Sequence, residues 1–325
     1  MVIEMALNEN IIISTLRYLK SKIEGLHREG TIRYSTYVNL DRCCDELLST
    51  LYLTKHSMEG EPSKIARLKK LIDKMFELKT IVECISSGVV DRSYDGYLRE
   101  LLTRLRDVEE LDLWTIKYGR NFSPFCYPSY ESGELSFILV TPEKPNFLSS
   151  DLVGLLAHEV AHIHDIVDNY KNQVNKIKIG EALADILGHI LVEFAFVHSL
   201  GYYIEKVVGL NNANQTKTCH PSWVARIWVL RALTGEIWQE QKIIKRNEDY
   251  LQSLLTRVPE LDNLEEHLVK DCVREYRNNA RNFVRFKFNE AILAKLEDLS
   301  DPEVENLGEV EKIIREAVLK NVQAV

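Results

Sequence analysis

The segment HEVAH, from His158 to His162, has the residue types and the spacing of a hydrolytic metal site. On an α-helix, residues i and i+4 lie one turn apart on the same face, so the two imidazoles can reach one metal ion. Glu159 then lies to one side, where its carboxylate can take a proton from a metal-bound water. The pattern predicts a catalytic metal centre, and the alternative is an amphipathic helix whose polar residues have ordinary partners.

A catalytic zinc site needs three protein ligands and one open position, and Glu181 is the candidate third ligand. The chain between His162 and Glu181 is long enough for one helix to end and a second to run back. Asp185 lies one turn after Glu181, where an acid suits a partner that holds a ligand histidine by its other ring nitrogen. A rival ligand is Asp168, at the metzincin-like position, although Asp165 replaces the glycine that those enzymes need for the turn.

HExxH on one helix, followed by ExxxD on the next, resembles the gluzincins, the thermolysin-like zinc peptidases. The resemblance implies one zinc ion (Zn2+) per chain, with His158, His162 and Glu181 as metal ligands. It also implies Glu159 as the general base and Asp185 as the partner behind a ligand. The expected activity is that of a hydrolase acting on a protein or peptide substrate.

A segment beginning H-P-S at His220 and continuing to Arg226 resembles the stretch after the metal-binding glutamate in HtpX-type and CAAX-prenyl zinc endopeptidases. If His220 lies near the site, it can donate a hydrogen bond to the tetrahedral oxyanion, with Arg226 orienting it or binding substrate. Alternatively, His220 caps a helix or lies in a loop, and Tyr170 and Tyr202 are other candidate donors. Those peptidases are membrane-embedded, so their substrate class is not carried over.

The elements that must position these residues are mostly helical in pattern. Helical periodicity over 8–28, 32–58, 63–86 and 93–116 predicts an N-terminal bundle of four helices. Pro221 is expected as the first residue of a helix. The other predicted helices cover 150–170, 180–208, 221–236, 237–256 and 259 to about 298.

Residues 133–141 form the best strand, since they combine β-branched and aromatic residues between Gly133 and Pro142. In a zincin such a strand precedes the HExxH helix, and an edge strand pairs with the extended substrate. A buried hairpin strand is the alternative for 134–141. The expected fold class is mainly helical α+β, with a zincin-like catalytic core containing a small β-sheet and flanked by helical bundles. The expected regions are N-terminal helical at 1–117, catalytic at 118–236 and C-terminal helical at 237–325.

Composition narrows the classes of partner and location. A net charge of −8 gives no reason to expect nucleic-acid binding. The longest apolar stretch, 190–204, is too short for a membrane span and carries Glu193 and His198. The six cysteines form no C-x-x-C and the N-terminal segment lacks a signal-peptide pattern, so we expect reduced thiols and a cytoplasmic protein. The sequence indicates no oligomeric state.

The function predicted from these residues is that of a zinc-dependent metallopeptidase. One alternative is a regulatory protease similar to the ImmA/IrrE-type zincins, which also pair HExxH with a downstream glutamate helix and cut one dedicated protein. The other is a non-catalytic helical interaction protein that retains a zincin scaffold. The presence of Glu159 argues against the second alternative, because that residue has no structural duty in a metal-binding scaffold.

Overall fold

The computed structural model describes residues 2–58, 60–88, 95–105, 110–117, 123–125, 134–141, 149–171, 176–215 and 220–284. They are mostly helical with one three-stranded sheet, which confirms the predicted mainly helical class with a small sheet. Two compact units divide the chain: unit 1 comprises 1–92 and 108–143, and unit 2 comprises 93–107 and 144–325. Within the described ranges, no helix is both long enough and apolar enough to cross a membrane.

Unit 1 joins three long helices to the sheet. Its elements are α1 (Val2–Arg28), α2 (Tyr34–His56), α3 (Glu61–Ser87), β1 (Glu110–Lys117), β2 (Ser123–Phe125) and β3 (Glu134–Thr141). The helices form because apolar residues recur at helical spacing, as at Ile12, Leu16 and Leu19, which are all fully buried. Helix α3 ends at Gly88, whose φ of 73° is accessible to glycine at little cost.

The sheet has the order β1-β3-β2, with β1 parallel and β2 antiparallel to β3. The predicted strand at 134–141 is confirmed as β3, but it is the central strand. Over Ile138–Val140 both of its edges are paired, so the proposed role as a substrate-binding edge is wrong there and the buried-strand alternative holds.

The predicted helix over 93–116 is wrong in its second half, because Glu110–Lys117 forms strand β1. The side chains from Leu113 to Ile116 are all buried, and the backbone pairs with β3. Trp114, Thr115 and Ile116 are aromatic or β-branched, which suits a strand, and long-range pairing overrides the local helical pattern. The predicted four-helix bundle is therefore a three-helix arrangement in unit 1, and the fourth helix belongs to unit 2.

Acidic side chains of the sheet cap the N-terminus of α2. Asp112 Oδ2 accepts a hydrogen bond from Thr36 Oγ1 at 2.6 Å, and Glu134 Oε2 accepts one from the backbone N–H of Ser35 at 3.2 Å. Carboxylates are favourable here because the first N–H groups of a helix lack partners and carry partial positive charge. These contacts place the sheet with the N-terminal helices, so the compact units divide the chain differently from the boundaries at 117 and 236.

Among its described residues, unit 2 contains helices joined by turns and short loops, and no strand. Its helices are α4 (Asp95–Leu105), α5 (Ser149–Ala161), α6 (Asp165–Lys171), α7 (Ile177–Val192), α8 (Phe194–Tyr203), α9 (Trp223–Ile237), α10 (Gln241–Leu255) and α11 (Asn263–Val284). A π-helical turn over Ile204–Val208 and a 3-10 turn over Leu210–Asn212 follow α8.

Three predicted helix bounds in unit 2 are corrected. The helix expected over 150–170 ends at Ala161, because the next N–H groups bond three residues back, and α6 starts after this tight turn. The helix expected over 180–208 breaks at Glu193, which has a φ of 49°. Helix α9 begins at Trp223 instead of Pro221, because the Ser222 hydroxyl caps it by accepting from Ala225 N at 3.1 Å.

Small residues allow α5, α7 and α8 to approach closely. The N–H of Gly154 on α5 donates to Ser199 Oγ on α8 at 3.1 Å. A Cβ at Gly154 would lie 2.6 Å from the Cα of Phe196, and one at Gly188 on α7 would lie 2.5 Å from the Phe196 ring. The helix that carries HEVAH is thereby fixed against its two neighbours.

Replacing Gly154 by alanine is expected to destabilise the fold by about 1–3 kcal/mol, because the new methyl group would meet backbone and force the helices apart. The matched control is Gly235→Ala on α9, where an added Cβ meets nothing within 4 Å and helix propensity improves. Urea unfolding followed by far-UV circular dichroism measures both free energies. Equal stability of the two variants would contradict the close-packing argument.

Candidate metal centre

Unit 2 brings His158, His162 and Glu181 together, so that one ligand atom from each lies within 4.8 Å of the others. The two histidine Nε2 atoms are 3.2 Å apart. Glu181 Oε2 lies 3.5 Å from His158 Nε2, and Glu181 Oε1 lies 3.7 Å from His162 Nε2. His158 comes from the last turn of α5, His162 from the tight turn after it, and Glu181 from α7.

These spacings fit a zinc ion. An ion bonded to nitrogen and oxygen at about 2.0–2.2 Å in tetrahedral geometry holds its ligand atoms roughly 3.3 Å apart. The three measured separations of 3.2, 3.5 and 3.7 Å lie close to that value. Two imidazoles and one carboxylate are also a donor set that suits zinc. The residues present can therefore hold one such ion and leave a fourth position for water or substrate.

Asp185 and Arg226 contact His158, a candidate ligand, on the side away from the cluster. Asp185 Oδ1 lies 2.8 Å from His158 Nδ1, which directs Nε2 of that ring toward the cluster. Arg226, on α9, grips both carboxylate oxygens of Asp185, with Nε donating to Oδ2 at 2.5 Å and Nη2 donating to Oδ1. The Arg226 guanidinium carbon also lies 4.1 Å from the ring centroid of Trp223.

The charged forms of these side chains stabilise one another, although the side chains are largely buried. Burial alone would lower the pKa of His158, but the charge and hydrogen bond of Asp185 raise that pKa to about 10. Burial alone would raise the pKa of Glu181, but the hydrogen bond from His158 and the charge of His162 hold that pKa well below its usual range. Burial likewise opposes ionisation of Asp185, and Arg226 outweighs it to lower the Asp185 pKa.

His220 lies beside the ligand cluster. Its Nε2 atom is 3.8 Å from Glu181 Oε2, and its side chain is 39% exposed. It precedes the N-cap of α9, so it is more accessible than the ligands, which are only 7% exposed at both histidines. The buried guanidinium of Arg226 pairs with Asp185, and its expected role in orienting His220 or binding substrate stays a prediction.

Glu159 is half-buried on the helix that supplies His158. Burial raises the pKa of Tyr203, with Arg226 acting against this rise and Glu159 adding to it. These three side chains are therefore within electrostatic reach of one another. The ring of Tyr203 packs 5.1 Å from that of Trp223 between centroids. Sequence reasoning missed Tyr203, since nothing in its spacing distinguishes it from neighbouring Tyr202.

The remaining residues singled out from the sequence are not members of the ligand group found among the described residues. Tyr170 donates its hydroxyl hydrogen to Glu275 Oε2 at 2.8 Å. His164 is buried and its Nδ1 accepts from the N–H of Ile166 at 3.2 Å, at the start of α6. His189 is fully buried, and its Nε2 accepts from Trp238 Nε1 at 3.0 Å, so it is a core histidine. Asp168 lies on α6, and the ligand group found among the described residues contains Glu181 in its place.

A scan against protein-family models, a search of curated proteins and a search of solved structures each found no match. The residues of the cluster and the geometry that they adopt are therefore the basis for assigning a function.

Asp185→Asn is expected to weaken metal affinity by roughly 10–100-fold, because the amide keeps the shape of the side chain but loses the charge that supports His158. Competition with a chromophoric zinc chelator measures the affinity. Asp165→Asn, at an exposed position at the start of α6, is the matched control and should bind metal like the wild type. Equal affinities for all three proteins would show that Asp185 does not support a metal ligand.

Proposed function

We propose that the protein is a zinc-dependent peptidase with a gluzincin-type catalytic core. The observation that carries the proposal is the convergence of His158, His162 and Glu181 on one small volume, with Glu159 adjacent in the chain. In this core α5 and the tight turn after it carry His158 and His162, α7 carries Glu181, and α9 supplies the support for Asp185. The proposal retains the expectation of a cytoplasmic enzyme acting on a protein or peptide substrate.

A zinc ion bound by these ligands would supply a water that ionises near neutrality and would polarise the carbonyl of the substrate. Glu159 is the general base: a carboxylate oxygen takes the proton of the attacking water and later delivers it to the leaving nitrogen. It suits this role because it belongs to the ligand helix, is not itself in the ligand group, and is half-exposed on α5.

His220 is the donor to the developing oxyanion. Its position 3.8 Å from Glu181 places an imidazole N–H beside the ligand cluster, and its exposure leaves it accessible to a substrate. A donor fixed where negative charge develops stabilises the transition state more than the ground state. Asp185 and Arg226 take no part in proton transfer, since they hold His158 in position from the buried side.

The test begins with protein purified without added metal. Elemental analysis should find close to one zinc per chain, and labelled casein or a quenched-peptide mixture should be cleaved. A zinc chelator should stop cleavage and added zinc should restore it. A protein that takes up no metal even when zinc is offered would overturn the proposal. Zinc-loaded protein that leaves casein intact but cuts one native partner would identify the regulatory alternative.

A further inference from the structure

The carboxylate of Glu265 is buried where three helices of unit 2 meet. Glu265 lies in the first turn of α11, and its side chain is only 5% exposed. Its Oε2 accepts a hydrogen bond from the backbone N–H of Ser222 at 3.0 Å, and its Oε1 lies 3.4 Å from Lys178 Nζ. Its own backbone N–H donates to Asp262 Oδ1 at 2.8 Å, so the position of the residue is fixed.

Both partners of Glu265 are close in sequence to residues of the metal centre. Ser222 follows His220 with only Pro221 between them, and Lys178 lies in the turn of α7 before Glu181. Because Pro221 has a fixed φ, the hydrogen bond that holds the N–H of Ser222 also restricts where His220 can lie. One carboxylate therefore fixes both the segment that carries His220 and the helix that carries Glu181.

Burying a carboxylate between helices is energetically unfavourable unless its contacts compensate for the lost hydration. An apolar side chain of the same volume would pack as well and avoid the cost of removing a charge from water. What the carboxylate adds is two directed contacts, one to the segment that carries His220 and one to the helix that carries Glu181. Charged stretches of helix are usually solvated surface, and the burial of Glu265 is an exception.

We propose that Glu265 is a positioning residue that holds His220 at its distance from Glu181. It performs no chemistry, and its effect on the reaction passes through His220. The proposal rests on the proposed function, because the position of His220 affects the reaction only if His220 is the oxyanion donor. It gives α11 a role in positioning the site, although α11 supplies no ligand to the described group.

The structural half of the proposal is tested without any assay of activity. Glu265→Ala removes both contacts, Glu265→Gln keeps an acceptor for Ser222, and Glu266→Ala removes an exposed carboxylate from the same turn as a control. In zinc-loaded protein, NMR should show amide exchange at Ser222 about tenfold faster in Glu265→Ala, with a shifted His220 ring resonance. Both should remain near wild type in Glu265→Gln and Glu266→Ala. An unchanged Ser222 exchange rate and an unchanged His220 resonance in Glu265→Ala would overturn the proposal.

The functional half is tested by a double-mutant cycle on cleavage of labelled casein. Glu265→Ala should lower kcat by about tenfold, less than the roughly hundredfold expected when one oxyanion donor is removed, and should leave KM and zinc content unchanged. In a His220→Ala background it should have no further effect. Additive losses would overturn the proposal in favour of a merely structural role. Zinc-loaded wild type that cleaves nothing would instead overturn the proposed function, and the exchange measurement would still decide whether Glu265 positions His220.

Discussion

Glu181→Ala is expected to abolish stoichiometric metal binding. The substitution removes the one anionic ligand from α7 and leaves two imidazoles, which hold a divalent ion far less tightly. The loss of affinity should exceed the 10–100-fold that is typical of losing an outer partner such as Asp185. Elemental analysis of wild type and variant, both purified without added metal, should find close to one zinc per chain in the first and almost none in the second.

The matched control is Glu236→Ala, which removes a half-exposed carboxylate on α9 that pairs with Arg277. It should retain metal, and far-UV circular dichroism should show that both variants are folded. Full zinc occupancy in Glu181→Ala would mean that another acid completes the site. Asp168→Ala would then be the decisive variant, because Asp168 is the rival that the sequence offers.

Glu159→Gln is expected to keep its metal and lose its activity. The amide has nearly the size of the carboxylate but cannot accept a proton from water, and Glu159 is not a member of the ligand group. Removal of a general base typically costs about 10²–10⁴-fold in rate. The rate of casein cleavage, normalised to bound zinc, measures the effect.

A Glu159→Gln variant that cleaves as fast as wild type would exclude Glu159 as the base. If both proteins bind zinc and neither cleaves casein, the inactive variant becomes a trap for a dedicated substrate. A native protein retained by Glu159→Gln and cut by wild type would then support the regulatory protease. Identical behaviour of the two proteins toward every partner would support the non-catalytic scaffold.

The prediction that His158, His162 and Glu181 lie together depended on two features of the sequence. His158 and His162 are one helical turn apart, although α5 ends at Ala161 and His162 lies in the tight turn that follows, and Glu181 needed a second helix running back. The structure places His158, His162 and Glu181 within 4.8 Å of one another. The pair of Arg226 and Asp185 was harder to foresee, since it joins α9 to α7 across a long stretch of chain and only tertiary packing decides it.

Errors in the predicted elements have a common physical cause. The pattern over 93–116 looks helical locally, but pairing with β3 draws Glu110–Lys117 into the sheet. The helix breaks after Ala161 and at Glu193 have no glycine or proline to signal them. At Glu193 a non-glycine residue adopts a φ of 49°, which surrounding contacts such as that between Asn247 and its carboxylate help to maintain. Hydrophobic periodicity reflects the local conformational preference of a segment. It does not include the contacts that neighbouring elements impose on that segment.

Helix α4 belongs to unit 2, although it precedes the strands of unit 1 in the chain. The buried side chains of α4, among them Leu98, Leu101 and Leu102, belong to the unit of α5, which follows only after the whole sheet. During synthesis, α1 to α3 can pack together as soon as they leave the ribosome. Helix α4 cannot pack against α5, and β1 cannot pair with β3, until those later elements have been synthesised. A shortened gene that begins at residue 118 would leave the HEVAH helix without α4. The two units are therefore interleaved in synthesis, and no single cut in the chain separates them.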